Sequence, residues 1–124
     1  MKLLIAFALL GDFAVSATAQ PLVATVEMSN FKFAPAAVDL RAGAPVVLRL
    51  RNIGSGGHSF SSPAFFAAAK MEPAGSALVH NGKVEVAGHS SIDLPLTPAA
   101  GQYAFKCTHT LHASFGMKGT ITVR

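Results

Sequence analysis

Tryptophan is missing from this sequence, and tyrosine and cysteine occur once each, the cysteine as Cys107. A single cysteine excludes a disulfide within the chain. Together with the missing tryptophan, it removes the pieces from which an immunoglobulin domain builds its core. Charge is scarce: 13% of residues are charged, against 51% hydrophobic. That balance excludes a disordered chain and asks for a packed core. The nine phenylalanines can supply its bulk. Acidic residues are outnumbered by basic ones, for a net charge of +4. The basic residues form no cluster interleaved with aromatics, which argues against nucleic-acid binding. A modest positive balance suits an acidic protein partner or an anionic surface instead. No paired carboxylates and no Ser/His/Asp arrangement stand out, so an enzyme is not expected. There is no internal repeat and no low-complexity linker, and 124 residues suit one domain.

The first segment differs from the rest. Lys2 opens it, Leu3 to Leu10 is apolar, and Ala17-Thr18-Ala19 fits the small-x-small pattern of a cleavage site. This reads as a secretory signal peptide over 1–19, with Gln20 starting the mature domain 20–124. A membrane anchor is the alternative, but the apolar run is short and is broken by Gly11 and Asp12. No later stretch is long and apolar enough to span a membrane. Loss of the segment removes Lys2 and Asp12, so the charge balance is unchanged. A periplasmic or otherwise exported protein is expected.

The mature chain reads as short strands broken by turns. Leu22 to Met28 makes a first strand; Phe31-Lys32-Phe33 and Val38 to Leu40 follow. Val46, Leu48 and Leu50 alternate with Arg49 and Arg51, the pattern of a half-buried strand. Gly54-Ser55-Gly56-Gly57 breaks it and His58 follows. Pro63 to Lys70 suits one or two helical turns, with Pro63 at the start, and Met71 to Val79 reads as a loop. Val84 with Val86, and Ile92 with Leu94 and Leu96, mark two more strands. Tyr103, Phe105 and Cys107 share one strand face, and Gly119 to Arg124 closes the chain. Seven to eight strands in this length predict an all-β, Greek-key β-sandwich with a short helical insert near 63–70.

The chemistry gathers in Cys107-Thr108-His109-Thr110-Leu111-His112-Ala113-Ser114-Phe115-Gly116-Met117. A cysteine ends a strand, a histidine lies five positions on, and a methionine five beyond that. One loop thus offers a thiolate, an imidazole and a thioether, and His58 lies at an earlier strand end. An unpaired cysteine in an exported chain is a buried thiol, an intermolecular link or a ligand. Its neighbours favour the ligand. Thiolate with imidazole suits copper, and a weak thioether marks His₂Cys copper sites that transfer electrons. Zinc suits the same thiolate and imidazoles. Each residue also has a plainer role open to it: a core thiol for Cys107, core filler for Met117, a surface turn for His58.

These segments resemble the cupredoxins, the small type 1 copper proteins. The resemblance covers essentially the whole mature chain. It rests on Asn30-Phe31-Lys32-Phe33-Ala34-Pro35, the strand from Gly43 to Asn52, Gly57-His58-Ser59-Phe60, and Tyr103 through Cys107 to Gly116-Met117-Lys118-Gly119-Thr120. It implies one copper ion cycling between Cu(I) and Cu(II), with His58, Cys107 and His112 as equatorial ligands and Met117 axial. The stretch from Ser59-Phe60 to Phe66-Ala67-Ala68-Ala69 is similar to exported cupredoxins linked to copper tolerance. Two departures stand out. Many relatives carry Asn after the first ligand histidine, where it braces the cysteine loop; Ser59 stands there, and its shorter hydroxyl is expected to brace less. Many also carry Pro-Gly before the second; Thr110-Leu111 predicts a softer or differently shaped loop.

The remaining candidates are secondary. His109 lies inside the loop but is read as a non-ligand, because His112 keeps the spacing to Met117. His80 and His89 read as exposed loop histidines, with a weak second copper site from His80, His89, His109 or Met71 as the alternative. Phe65, Phe66 and Phe115 are expected to give apolar cover to the site. Two roles follow: a one-electron carrier meeting a redox partner, or a copper tolerance, sequestration or delivery protein meeting a copper-handling partner. Multicopper oxidases share a similar Cys–His–Met string but need several domains and His-x-His pairs, which this chain lacks. A monomer is expected.

Overall fold

A computed structural model describes residues 20–124, together with Gly11. The expected signal peptide and its cleavage site therefore lie outside the described residues. No helix among the described residues is long and apolar enough to cross a membrane.

The strands form where apolar and polar residues alternate. β1 spans Leu22–Ser29, β2 Lys32–Ala34, β3 Ala37–Leu40, β4 Val46–Asn52 and β5 His58–Ser61. A helical turn, α1, covers Pro63–Ala68, with Pro63 at its first position. After it come β6 (Lys70–Met71), a second turn α2 (Pro73–Ser76), β7 (Lys83–Val86), β8 (Ser91–Thr97), β9 (Gly101–Lys106) and β10 (Lys118–Val123). The ten strands make two mixed five-stranded sheets, in the orders β2-β1-β4-β8-β6 and β3-β10-β9-β5-β7. This is the expected sandwich. The strand count is higher than the sequence suggested because two strands leave no alternating signal: β5 is buried at all four positions, and β6 has only two residues. The segment expected to be a loop after Met71 contains α2, whose Pro73-Ala74-Gly75-Ser76 has little helical preference of its own.

Between the sheets lies one apolar core. Val26 and Met28 from β1, Leu48 and Leu50 from β4, and Leu94 and Leu96 from β8 face Val84, Val86, Phe60, Phe105, Ile121 and Val123 of the second sheet. Phe60 stacks on Phe105 with ring centroids 4.7 Å apart, and Phe33 meets Phe105 edge-on at 5.0 Å. Aromatic pairs of this kind contribute about 0.5–1.5 kcal/mol beyond the area they bury. On the outer face of the first sheet, Arg49 and Asp93 stand opposite each other in register and pair at 2.8 and 3.1 Å. The second sheet places β5 and β9 side by side, with Ser61 opposite Lys106. That pairing brings the start of β5 and the loop leaving β9 to the same end of the sandwich.

Candidate metal centre

Asn52 organises the approach to His58. It ends β4, is 1% exposed, and uses every polar atom of its side chain. Nδ2 donates to the carbonyls of Gly56 at 2.8 Å and Val86 at 3.1 Å, while Oδ1 accepts the Gly54 amide at 3.0 Å. The glycine turn is thereby fixed to β7, and it delivers His58 at the first position of β5. Sequence reading placed Asn52 only in a strand motif. An Asn at a strand end ahead of a glycine-rich turn is a signal for this side-chain-to-backbone capping.

His58 is 2% exposed, and neither ring nitrogen has a hydrogen-bond partner. A buried imidazole without partners costs free energy unless something not drawn from the chain satisfies it. Burial pushes His58 below the ordinary imidazole range, and His112 and His109 push it the same way.

Cys107 follows β9 and is 1% exposed. Its amide donates to the Met117 carbonyl at 3.1 Å, and the Met117 amide donates to the His112 carbonyl at 3.0 Å. The loop is therefore closed at its stem, with Met117 fully buried against the backbone of both other loop residues. The Ser59 amide approaches the Cys107 sulfur at 3.5 Å and the Ser59 hydroxyl lies 3.7 Å away. That hydroxyl also accepts the Thr108 amide at 2.7 Å and lies 2.8 Å from the Thr108 hydroxyl. The expectation that serine would brace the loop poorly meets a local answer: Thr108 supplies a second hydroxyl to the short one.

His112 Nδ1 lies 3.4 Å from the Cys107 sulfur. The ligating atoms of His58, Cys107 and His112 all fall within 4.8 Å of one another, and among the described residues this is the one such group. Two imidazoles, one of them buried and orphaned, converge on a buried thiol beside a buried thioether. This donor set fits one copper ion.

The other candidates go elsewhere. His109 Nε2 lies 2.9 Å from Glu85 Oε2, tying the loop to β7. His80 pairs its backbone with Lys83 in both directions, and the His89 amide donates to the Gly54 carbonyl. Met71 packs on the core. The apolar cover also differs from expectation. Phe65 and Phe66 are core residues, against Tyr103 and Phe60 respectively. Phe31 instead meets the His112 ring edge-on at 5.0 Å, and Phe115 lies 5.2 Å from Phe31. Phe31, Leu111 and Phe115 remain exposed, an apolar rim around His112. Sequence reading missed Phe31 here because its partner lies some eighty positions away.

Residues 2–123 match the family model described as the cupredoxin-like domain. No curated protein sequence matches the chain. Among solved structures, auracyanin B superposes with a TM-score of 0.62 at 23% identity, covering 87% of this chain and 93% of that one. Auracyanin A, a "blue" copper protein of the green thermophilic photosynthetic bacterium Chloroflexus aurantiacus, gives 0.56 at 19%, covering 82% and 99%. A multicopper oxidase from Campylobacter jejuni gives 0.62 at 11%, covering 89% of this chain but 31% of the oxidase. At these identities the likeness is one of fold.

Proposed function

The chain belongs to the cupredoxin family, and from that premise we propose that it is an exported one-electron carrier. In this reading His58, Cys107, His112 and Met117 hold one copper ion. The observation that carries it is the buried His58 imidazole, both nitrogens unpartnered, beside a thiol and a second imidazole whose ligating atoms lie within 4.8 Å of one another and of its own. Bound copper would supply a one-electron couple between Cu(I) and Cu(II). The chain's own part is to hold the donors still. Asn52 fixes the turn before His58, Ser59 and Thr108 fix the start of the loop, and the Cys107–Met117 backbone bond fixes its end. Little rearrangement then accompanies a change of charge. His112, on the loop and ringed by Phe31, Leu111 and Phe115, is the edge from which an electron leaves toward a redox partner.

An enzymatic role is disfavoured, because the oxidase likeness covers about a third of that protein and the chain has no His-x-His pair for further coppers. Voltammetry of the copper-loaded mature chain tests the proposal. A reversible one-electron wave and intense visible thiolate-to-copper bands, lost in Cys107→Ala, are expected. A site that cannot be re-oxidised, or bands that survive the substitution, would overturn it.

A second reading is periplasmic copper tolerance or delivery. It draws on His109, whose ring centroid lies 5.4 Å from that of His112 and 6.3 Å from that of His58, outside the donor set but beside it. Deleting the gene should then raise copper sensitivity, and unchanged growth on copper would remove this reading.

A further inference from the structure

Lys106 and Lys118 are register partners on β9 and β10, and both are exposed. Directly opposite residues on adjacent strands have Cβ atoms within about 5.5 Å of each other, and like charges placed there destabilise the pair. Two other strand cations have carboxylate partners, Arg49 with Asp93 in register and Lys83 with Glu85 at 3.6 Å, and Lys32, Arg51 and Lys70, which have none among the described residues, do not face a second cation in register. Among the described residues, no carboxylate pairs with Lys106 or Lys118. The row continues across the sheet. Ser61 is in register with Lys106 on one side and Lys83 on the other, so three lysines and a hydroxyl share one outer face. Lys106, Lys118, Ser61 and Thr120, with Pro63, Ala104, Phe105 and Gly119, also line a groove of about 690 Å³.

We propose that this groove is a docking surface for an acidic segment of a partner protein. The uncompensated charge is the argument. A cross-strand lysine pair is a cost to the isolated fold, and a carboxylate-bearing partner turns it into attraction. The row's place adds to this. Lys106 directly precedes Cys107 and Lys118 directly follows Met117, so a segment held there lies one residue from two of the four donors. The surface is separate from the apolar rim at His112, and it serves a partner that exchanges electrons or one that exchanges copper. The metal-free protein tests it, so failure of the electron-carrier reading leaves it standing.

The probe is a hexaglutamate peptide, titrated into the metal-free mature chain at about 0.01 M salt, where screening extends to about 30 Å. Amide shifts should centre on Ser61, Lys106, Lys118 and Thr120. The double variant Lys106→Gln/Lys118→Gln should weaken binding about tenfold, and added salt should do the same. Lys70→Gln, on the other sheet, should leave binding unchanged. As an independent readout, Lys118→Glu should raise the thermal midpoint while abolishing peptide binding, because it relieves the repulsion that the partner would otherwise neutralise. Equal peptide affinity in the double variant would overturn the proposal. So would shifts centred elsewhere, binding to phosphatidylserine vesicles but not to peptide, or a lowered midpoint in Lys118→Glu.

Discussion

The two histidines of the donor set occupy opposite settings. His58 begins a strand, is 2% exposed, and follows a turn that a buried asparagine holds in place. His112 sits in a loop, half-buried, with an exposed Leu111 before it and a short 3₁₀ turn after it. The strand-borne half is set by the sandwich itself: Ser59 lies beside His58 in β5 and reaches Thr108, the residue after Cys107. The loop-borne half is set by local backbone turns and by the edge of Phe31. One half is buried behind the sandwich, and the other carries the exposed apolar rim of Phe31, Leu111 and Phe115.

The sharpest way to break that comparison is to remove each imidazole in turn. His112→Gly leaves a gap beside exposed residues, so added imidazole should enter it and restore the visible copper band. His58→Gly leaves a gap sealed by the core, and the same imidazole should fail there. Absorption titrations of the two variants with copper and imidazole decide this. Equal rescue of both would show that the buried side is open as well.

The next effect is on stability. Asn52→Ala removes three hydrogen bonds from a residue 1% exposed, those to the Gly54 amide and to the carbonyls of Gly56 and Val86, the last of them buried. At about 1 kcal/mol per bond, with more where a buried group is left unpaired, the loss should be about 3 kcal/mol. Urea unfolding of the metal-free chain measures it. Copper binding should weaken too, because the turn delivers His58. A loss under about 1 kcal/mol would mean that the sheets alone hold the strand-borne half.

Much of this division is visible in the sequence, and what escaped has a physical reason. Cys107, His112 and Met117 share one loop, so their spacing carries the information, and the glycines mark His58. The alternation of Val46, Leu48 and Leu50 with the arginines marks β4. What escapes are contacts between distant positions with no fixed spacing. Ser59 with Thr108, Phe31 with His112, and Glu85 with His109 each join residues from different elements. Phe65 and Phe66 show the reverse error. They are near His58 in sequence, but α1 turns them into the core. The parallel pairing of β1 with β4 is likewise a property of the sandwich and not of either strand.

The metal-free site should also report its burial through pH. Desolvation, and then the neighbouring His112 and His109, hold His58 below its ordinary value. In the unfolded chain that value returns to about 6.5. Between the lowered folded value and about 6.5, the unfolded chain binds more protons than the folded one. Stability is therefore complete above about pH 6.5 and falls as the pH drops through that window. Urea midpoints of the metal-free chain from about pH 5 to 8 should slope this way, and less steeply in His58→Gln. A flat profile would place His58 in water and dissolve the contrast with His112.

The smallest effect should run in the opposite direction and lies in the loop. Leu111 has φ +64°, and Phe31, which packs on His112, has φ +57°. Left-handed backbone costs a side-chain-bearing residue about 1–2 kcal/mol, while glycine loses about 0.5–1 kcal/mol through its freer unfolded chain. Leu111→Gly should therefore stabilise the metal-free chain by about 0.5 kcal/mol, read as a small rise in urea midpoint. Phe31 cannot be tested this way, since glycine would also delete the ring against His112. A gain at Leu111 would show that the chain bears strain on the open side of the site while its 61% exposed side chain adds little to packing. Such a residue stabilises nothing within the fold, and its apolar surface is left for a partner. A loss would mean that Leu111 packs the loop, and the open half would then be built on the same terms as the buried one.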